Sequence, residues 1–444
     1  MKTQLFPRFV LKGFLVLMAT LTTTIAPTRV MRPMDFRFHP AVEGGYPSME
    51  AVPNGNAEDS TIRLRFTAYA LDNPKGAALV ETCLMVREAM ATETVSFVLP
   101  TRGQPDILGV RVEKLVNPEK PDFVGNWRAK FDMTKSVMDY KGNAKTKRPK
   151  DFEQFWADKK AKLAAVPMNA VITPVPEKKS ATGNCYKIVM QSYGGMTIAA
   201  WYFVPNDVDP LSPTPNGKKY PAIQIAPGYG AEETPIDRTA DGYITLSMNP
   251  RGHGPSKEFW PLPAGHHLYK VENPDEYYYT GAYMDIVRGL DFLSSRPEVD
   301  ANRLGQEGGS QGGAFALAAA GLDSRVKAAC ANVPYICNLW DYSKFYSFGQ
   351  PILDKMLDPK IGKMAQKSLM YCDPVNLAES IKCPVQITVG LTDRVCPPLG
   401  GIVAHNRIPA GVTRKLVMDP MADHEISPIM RQENADWFKT YLKP

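Results

Sequence analysis

Hydrophobic and polar positions follow two different rhythms along this chain. Over residues 61–70 they alternate, with Ile62, Leu64 and Phe66 on one face, and Asp72-Asn73-Pro74-Lys75-Gly76 then supplies a turn. Segments 95–99, 107–116 and 127–133 are further candidate strands, separated by clusters of Pro, Gly, Asn and Asp. Short strands at that spacing predict a small Ig-like β-sandwich over residues 30–145. Residues 141–149 are basic and carry no large apolar side chain, which reads as a solvated linker. Beyond Pro149 the rhythm turns helical: Phe152, Phe155, Trp156 and Leu163 recur on one face, and Asp151 stands where it can cap the start. Strand-like runs then follow at 185–192, 196–204, 220–226, 243–248, 303–307, 326–333, 385–391 and 414–418. Helical patterns intervene at 281–295, 311–320 and 428–442. Eight strands with helical crossovers predict an α/β fold over 146–444, with a mostly parallel sheet covered on both faces. Gln306 and Glu307 stand out as unusually polar for the end of a central strand.

The first residues have a separate logic. Lys2, Arg8 and Lys12 precede a short apolar stretch from Phe14 to Ala19, the pattern of a signal peptide over residues 1–26 and hence of an exported protein. That stretch falls short of the roughly 20 apolar residues a membrane span needs. Composition adds mainly exclusions. The 444 residues are 44% hydrophobic and 22% charged, with 33 glycines and 39 prolines, so disorder, collagen-like repeats and a polytopic membrane protein are ruled out. A net charge of +6, half of it in residues 1–26, gives no reason to expect a nucleic-acid or anionic-membrane partner. Seven cysteines without a C-x-x-C pair read mostly as small buried hydrophobes. His424-Glu425 lacks the second histidine of a zincin helix, and no other metal-ligand spacing is present.

Chemistry concentrates at Gly308-Gly309-Ser310-Gln311-Gly312-Gly313, between a strand pattern and an alanine-rich helix. This is G-x-S-x-G, in which glycines permit the strained strand-to-helix corner that lifts a serine hydroxyl clear of a sheet. A glycine-rich corner can also be only a tight turn, whereas a phosphate loop would need a lysine that is missing here. A nucleophilic serine needs a base, and the base needs an acid to orient it. Asp393 follows the strand pattern at 385–391 and His424 the one at 414–418, in the order Ser, Asp, His expected for this fold class. Singly, Asp393 reads as well as a turn or capping residue, and His424 as a surface-loop histidine. Together with Ser310 they form an ordered set.

These stretches resemble carbohydrate esterase family seven, the acetyl xylan esterase and cephalosporin C deacetylase group, from about Arg148 to the end of the chain. The resemblance rests on Arg148-Pro149-Lys150-Asp151-Phe152-Glu153-Gln154-Phe155-Trp156, on Tyr277-Tyr278-Tyr279 leading to Asp285-Ile286-Val287-Arg288, and on the serine turn. It continues in Gly390-Leu391-Thr392-Asp393-Arg394-Val395-Cys396-Pro397-Pro398 and in His424-Glu425. It implies an α/β-hydrolase fold, a triad of Ser310, Asp393 and His424, and an oxyanion hole made by the main-chain N–H groups of Tyr229 and Gln311. Gly308 and Gly312 support the serine turn. The chain departs from the family in having Pro227-Gly228-Tyr229 for His-Gly-Tyr, and Arg251-Gly252-His253 for Arg-Gly-Gln. Arg251 is expected to play a structural part beneath the serine turn, and His253 either replaces the hydrogen bonds of the glutamine or adds a titratable group.

The activity implied is removal of acetyl groups from xylan-type oligosaccharides or other small acetyl esters through an acyl-enzyme, without metal or organic cofactor. Trp260, Tyr335, Trp340 and Tyr342 stand in loops where they could stack on sugar rings or simply pack. A serine peptidase on the same fold and a non-catalytic carbohydrate-binding protein are the competing readings. The family resemblance further implies a homo-oligomer, an arrangement that an added N-terminal domain could block.

Overall fold

The computed structural model describes the backbone of seven strands between residues 34 and 132, and residues 141–443 apart from 213–216, 343–348, 391–392, 394 and 420–421. The expected signal segment and the turn at 72–76 lie outside the described residues. Strands β1 (Met34–His39), β2 (Ser48–Pro53) and β5 (Val95–Val98) form one antiparallel sheet. β4 (Glu81–Met90), β3 (Thr61–Ala70), β6 (Pro105–Lys114) and β7 (Asp122–Asp132) form a second, in that order. The alternating segment at 61–70 is thus an interior strand of the larger sheet.

The segment at 141–149 does not run free in solvent as the sequence suggested. Its lysine side chains are exposed, but Arg407 donates to the carbonyls of Lys141 (2.7 Å) and Thr146 (2.6 Å), and buried Thr146 donates to Asn338 Oδ1 (3.3 Å). Arg148 donates to the Asn376 carbonyl (2.7 Å) and to Ser380 Oγ (2.7 Å). Helix α1 (Phe152–Ala164) buries Phe152, Trp156 and Leu163 as its spacing predicts. Asp151 occupies the capping position without capping: its carboxylate accepts instead from Tyr371 Oη (2.6 Å) and Lys367 Nζ (3.0 Å). Those hydrogen bonds, the one from Tyr371 foremost, hold the carboxyl below its ordinary pKa.

The main sheet comprises β8 (Val171–Pro174), β9 (Gly183–Gln191), β10 (Thr197–Pro205), β11 (Tyr220–Ala226), β12 (Ile244–Asn249), β13 (Val299–Gly309), β14 (Val326–Asn332), β15 (Val385–Gly390) and β16 (Arg414–Asp419). Its nine strands lie in the order β16-β15-β14-β13-β11-β12-β10-β9-β8. β12, β11, β13, β14, β15 and β16 pair in parallel in that order, while β10, β9 and β8 pair antiparallel along one edge. Eight of the nine were legible from sequence. The ninth, β8, has four residues, three of them exposed, and ends in a proline, so no periodicity marks it.

Helices cover both faces. α2 (Tyr278–Ser295) and α3 (Gln311–Leu322) belong to the larger apolar cluster, with Ala222, Ala329 and Ala331 from the sheet. Ile223, Ile225, Ala328 and Cys330, one residue out of phase, face Trp437, Phe438 and Leu442 of the last helix, α9 (Pro428–Leu442). That segregation by alternate residues is what a strand buried on both faces requires. Between β14 and β15 lie α4 (Leu339–Tyr342), α5 (Gly349–Leu357), α6 (Gly362–Cys372) and α7 (Pro374–Ala378), and α8 (Pro398–Arg407) joins β15 to β16.

The polar end of β13 is explained by partners that are remote in sequence. Gln224 Nε2 donates to Gln306 Oε1 at 2.8 Å. Glu307 pairs with Arg238 (2.6 Å) and accepts from Asn434 Nδ2 of α9 (3.1 Å). Asn434 also reaches Asn332 Oδ1 (3.0 Å) and accepts from Gln386 Nε2 (2.8 Å). Buried polar groups are tolerable when paired in this way.

Candidate functional site

β13 ends at Gly309, α3 begins at Gln311, and Ser310 makes the corner between them with φ 58° and ψ −118°. A positive φ costs a residue with a Cβ about 1–3 kcal/mol and persists only where the surroundings enforce it. Here the flanking glycines permit it by close approach. A Cβ on Gly308 would stand 2.5 Å from the backbone of Gly312, and one on Gly312 would stand 2.1 Å from the Ala226 carbonyl oxygen at the end of β11. Only glycine fits either position. The Ser310 N–H donates to the Asn332 carbonyl (2.9 Å), and its own carbonyl accepts from Tyr335 N–H (2.9 Å).

Asp393 lies just beyond β15 and His424 just beyond β16, so all three predicted residues meet at the carboxyl ends of parallel strands. His424 Nε2 is 3.0 Å from Ser310 Oγ, and His424 Nδ1 is 2.8 Å from Asp393 Oδ2. The other carboxylate oxygen, Oδ1, accepts from the N–H groups of Val395 and Cys396, both at 2.8 Å. A carboxylate held this way can only accept, so Nδ1 carries the imidazole proton and Nε2 is left to accept from the serine hydroxyl. The Asp393 side chain is fully buried, whereas that of His424 is 25% exposed and open to a ligand.

The sequence reading missed Cys396 as a neighbour of the serine: its Sγ lies 3.8 Å from Ser310 Oγ, and burial pushes its thiol pKa well up. Asp393, Cys396 and His424 offer ligand atoms within 4.8 Å of one another. The carboxylate and Nδ1 in that group are already committed to each other. The six described cysteines are all buried and free.

The loop after β11 passes beside the serine, since a Cβ on Gly228 would lie 4.0 Å from Ser310 Cβ. Tyr229 therefore stands next to the corner, and Gln311 supplies the first N–H of α3, a group with no intrahelical partner. The Gln311 side chain is buried and meets His253 Nε2 (3.1 Å), His266 Nε2 (3.1 Å) and Tyr279 Oη (2.9 Å). Burial pushes the imidazoles of His253 and His266 down to about 4, so both are neutral near pH 7. Near neutral pH His253 therefore acts through its hydrogen bonds, to the Ala231 carbonyl, Tyr278 Oη and Gln311 Nε2. Arg251 departs from expectation: its partners are not in the serine turn. It forms a bidentate pair with fully buried Asp285 of α2 (2.8 and 2.9 Å) and donates to the Tyr193 carbonyl (3.0 Å).

Of the four loop aromatics read as either sugar-stacking or packing residues, Tyr335 and Trp340 are buried and pack inside the fold. The Tyr342 side chain lies outside the described residues. Trp260 is partly exposed, stacked near Tyr278 (centroids 6.3 Å apart) and edge-on to Tyr269 (5.8 Å). Phe259 and Tyr269, which the sequence did not single out, are 43% and 37% exposed beside it. A cleft of about 800 Å³ opens near the amino ends of β14 and β15, lined by Arg148, Lys160, Lys382 and neighbours, and holds none of the serine-site residues.

A largely parallel sheet, a serine on a strained strand-to-helix corner and an imidazole between that serine and a carboxylate define an α/β hydrolase. Comparison narrows the class. The chain belongs to the acetyl xylan esterase (AXE1) family, whose profile matches residues 129–441, and is a carboxylic ester hydrolase. It is 29% identical over 316 residues to acetyl esterase Axe7A of Xylanibacter ruminicola, covering 67% of this chain and 68% of that one. Its fold is similar to that of an acetyl xylan esterase from Paenibacillus sp. R4, with a TM-score of 0.62 and 28% identity over 69% of this chain and 98% of the other. It is similar also to acetyl xylan esterase 1 from Thermoanaerobacterium sp., with a TM-score of 0.60 and 24% identity over 68% and 96%. Among the described residues no helix is long and apolar enough to cross a membrane.

Proposed function

We propose that Ser310, His424 and Asp393 act as a catalytic triad that removes acetyl groups from acetylated xylan or xylo-oligosaccharides in two steps. His424 Nε2 takes the Ser310 proton as the oxygen attacks the ester carbonyl, and the imidazolium then returns it to the departing sugar hydroxyl. Water, deprotonated by the same nitrogen, attacks the acetyl-serine and releases acetate. Main-chain N–H groups of Tyr229 and Gln311 meet the developing oxyanion, and a donor of this kind is typically worth about 10²–10³ in rate. The observation that carries the reading is the single imidazole spanning Ser310 Oγ (3.0 Å) and Asp393 Oδ2 (2.8 Å). The substrate class draws support from the similarity to acetyl esterase Axe7A and to the Paenibacillus acetyl xylan esterase. Export, expected from residues 1–26, suits a polymeric substrate.

The experiment is acetate release from acetylated xylo-oligosaccharides, compared with simple acetyl esters and aminoacyl amides. Wild-type protein should release acetate and leave the amides intact, and Ser310→Ala should be inert while keeping its fold. Turnover undiminished in Ser310→Ala would overturn the triad, and preferred cleavage of the amides would overturn the substrate class.

A further inference from the structure

The two main-chain donors assigned to the oxyanion come from separate elements, the loop after β11 and the start of α3. Their separation must nonetheless be held to a fraction of an ångström for both to meet one oxygen. Their side chains supply a link. Tyr229 stacks face to face on the His266 ring, with centroids 3.9 Å apart and planes 15° from parallel, and its Oη lies 2.9 Å from His267 Nδ1. The same His266 reaches Gln311 Oε1 through Nε2 (3.1 Å), so one imidazole touches both donor residues. From the other side, Gln311 Nε2 approaches the carbonyl of Gly228, the residue before Tyr229, at 3.4 Å.

Elementary hydrogen-bond accounting orients the whole cluster. His253 Nδ1 lies 2.7 Å from the Ala231 carbonyl, which can only accept, so a neutral His253 spends its single proton there. His253 Nε2 is then bare and must accept, from Tyr278 Oη at 3.0 Å and from Gln311, which has to turn its NH₂ rather than its oxygen toward it at 3.1 Å. Gln311 Oε1 is thereby turned to the opposite side, where it accepts from Tyr279 Oη (2.9 Å) and from His266 Nε2, which must carry the proton of that ring. The donors run one way, from His266 to Gln311 to His253 to Ala231, and every member is buried except Ala231. Reversing any one link would set donor against donor or acceptor against acceptor in a buried place.

We propose that His266 and His253 are positioning residues that hold the Tyr229 and Gln311 main-chain donors in register through this directed chain. The proposal rests on the oxyanion assignment above and adds to it the means by which the two donors are kept together. Neither histidine touches the reacting atoms. Because the hole acts on the transition state more than on bound ester, loosening it should lower kcat and leave KM almost unchanged.

The test measures hydrolysis of p-nitrophenyl acetate by wild type, Ser310→Ala, His266→Phe, His253→Gln and His253→Leu, with near-ultraviolet circular dichroism reporting the fold. Phenylalanine keeps a ring for Tyr229 to stack on and removes the proton given to Gln311. Its kcat should fall by roughly 10–100-fold, less than outright loss of a donor, with KM within about twofold of wild type. Glutamine at 253 can offer one acceptor and one donor as the neutral imidazole does, whereas leucine offers neither. His253→Leu should therefore lose kcat by about tenfold or more, and His253→Gln should recover most of it. A kcat for His266→Phe within about twofold of wild type would overturn the proposal, as would a loss carried by KM alone. Should His266→Phe fail to fold, the position 253 pair decides: equal kcat for Gln and Leu would overturn it. Absence of Ser310-dependent turnover in the wild type would instead bring down the underlying esterase mechanism, a separately visible result.

Discussion

Replacing Asp393 by asparagine probes the polarity of the triad without emptying space. The asparagine has two ways to sit. If its carbonyl oxygen takes the place of Oδ1, it keeps the N–H bonds from Val395 and Cys396, both 2.8 Å in the parent. If its NH₂ is placed there, the buried Cys396 N–H and the partly buried Val395 N–H lose their acceptor, at up to about 1–3 kcal/mol each. The first arrangement is therefore favoured by at least about 1–3 kcal/mol, the penalty at the buried Cys396 N–H alone. It points the amide NH₂ at His424 Nδ1, which must then accept, so the ring proton moves to Nε2. With Nε2 protonated the imidazole can no longer take the Ser310 hydroxyl proton, although the 3.0 Å spacing need not change. A tautomer reversal of this kind costs about 10⁴ in kcat, or about 5.4 kcal/mol of barrier. The assay is steady-state hydrolysis of p-nitrophenyl acetate near neutral pH, with thermal unfolding as a control that stability falls only modestly. An Asp393→Asn enzyme within about tenfold of wild type would refute the argument that this carboxylate sets the tautomer.

Two further outcomes follow from the same geometry. Gly312→Ala places a methyl 2.1 Å from the Ala226 carbonyl oxygen, which should cost about 1–3 kcal/mol or more of stability and depress kcat more than tenfold as the serine corner shifts. Calorimetry and ester hydrolysis read both effects, and a stable, fully active variant would contradict the packing described. The buried histidines should also leave a mark on acid stability. Their folded pKa values of about 4 lie below the ordinary 6.5, so the unfolded chain binds more protons between those limits. Stability from His253 and His266 is then complete above about pH 6.5 and is lost progressively toward pH 4, by up to roughly 3 kcal/mol each. Asp373, fully buried and pushed up to about 6, works in the opposite sense over part of that range. The comparison of His253→Gln with wild type isolates the histidine: the variant's Tm should fall less between pH 7 and 4.5, and parallel curves would contradict the assignment.

Much of the fold and of the candidate site was legible in the sequence because its pieces are written locally. The glycine-serine corner and the apolar runs of the parallel strands each lie within a few residues of chain, and Asp393 and His424, though 83 and 114 residues beyond Ser310, each directly follow such a run in the expected order. What escaped was assembled from distant segments. Glu307 looks misplaced until Asn434, more than a hundred residues later, arrives on α9 to bond it. The basic segment at 141–149 looks solvated until Arg407 takes its carbonyls. The stretch from Arg251 to Tyr277 has only short 3₁₀ turns and no periodicity, so nothing in it announced that His253 and His266 would close on Gln311. Cys396 was read as one more buried hydrophobe, which its burial bears out, but its place beside the serine follows only from the folding back of the Asp393 loop.

The role of Ser310 is tested most directly by the identity of the acylated residue. Wild-type protein mixed with acetylated xylo-oligosaccharide and quenched in acid within the first turnovers should carry one acetyl group, mapped by peptide mass spectrometry to Ser310 and absent from Ser310→Ala. Acetate released with Ser310 unmodified, or the acetyl group found on another side chain, would contradict it.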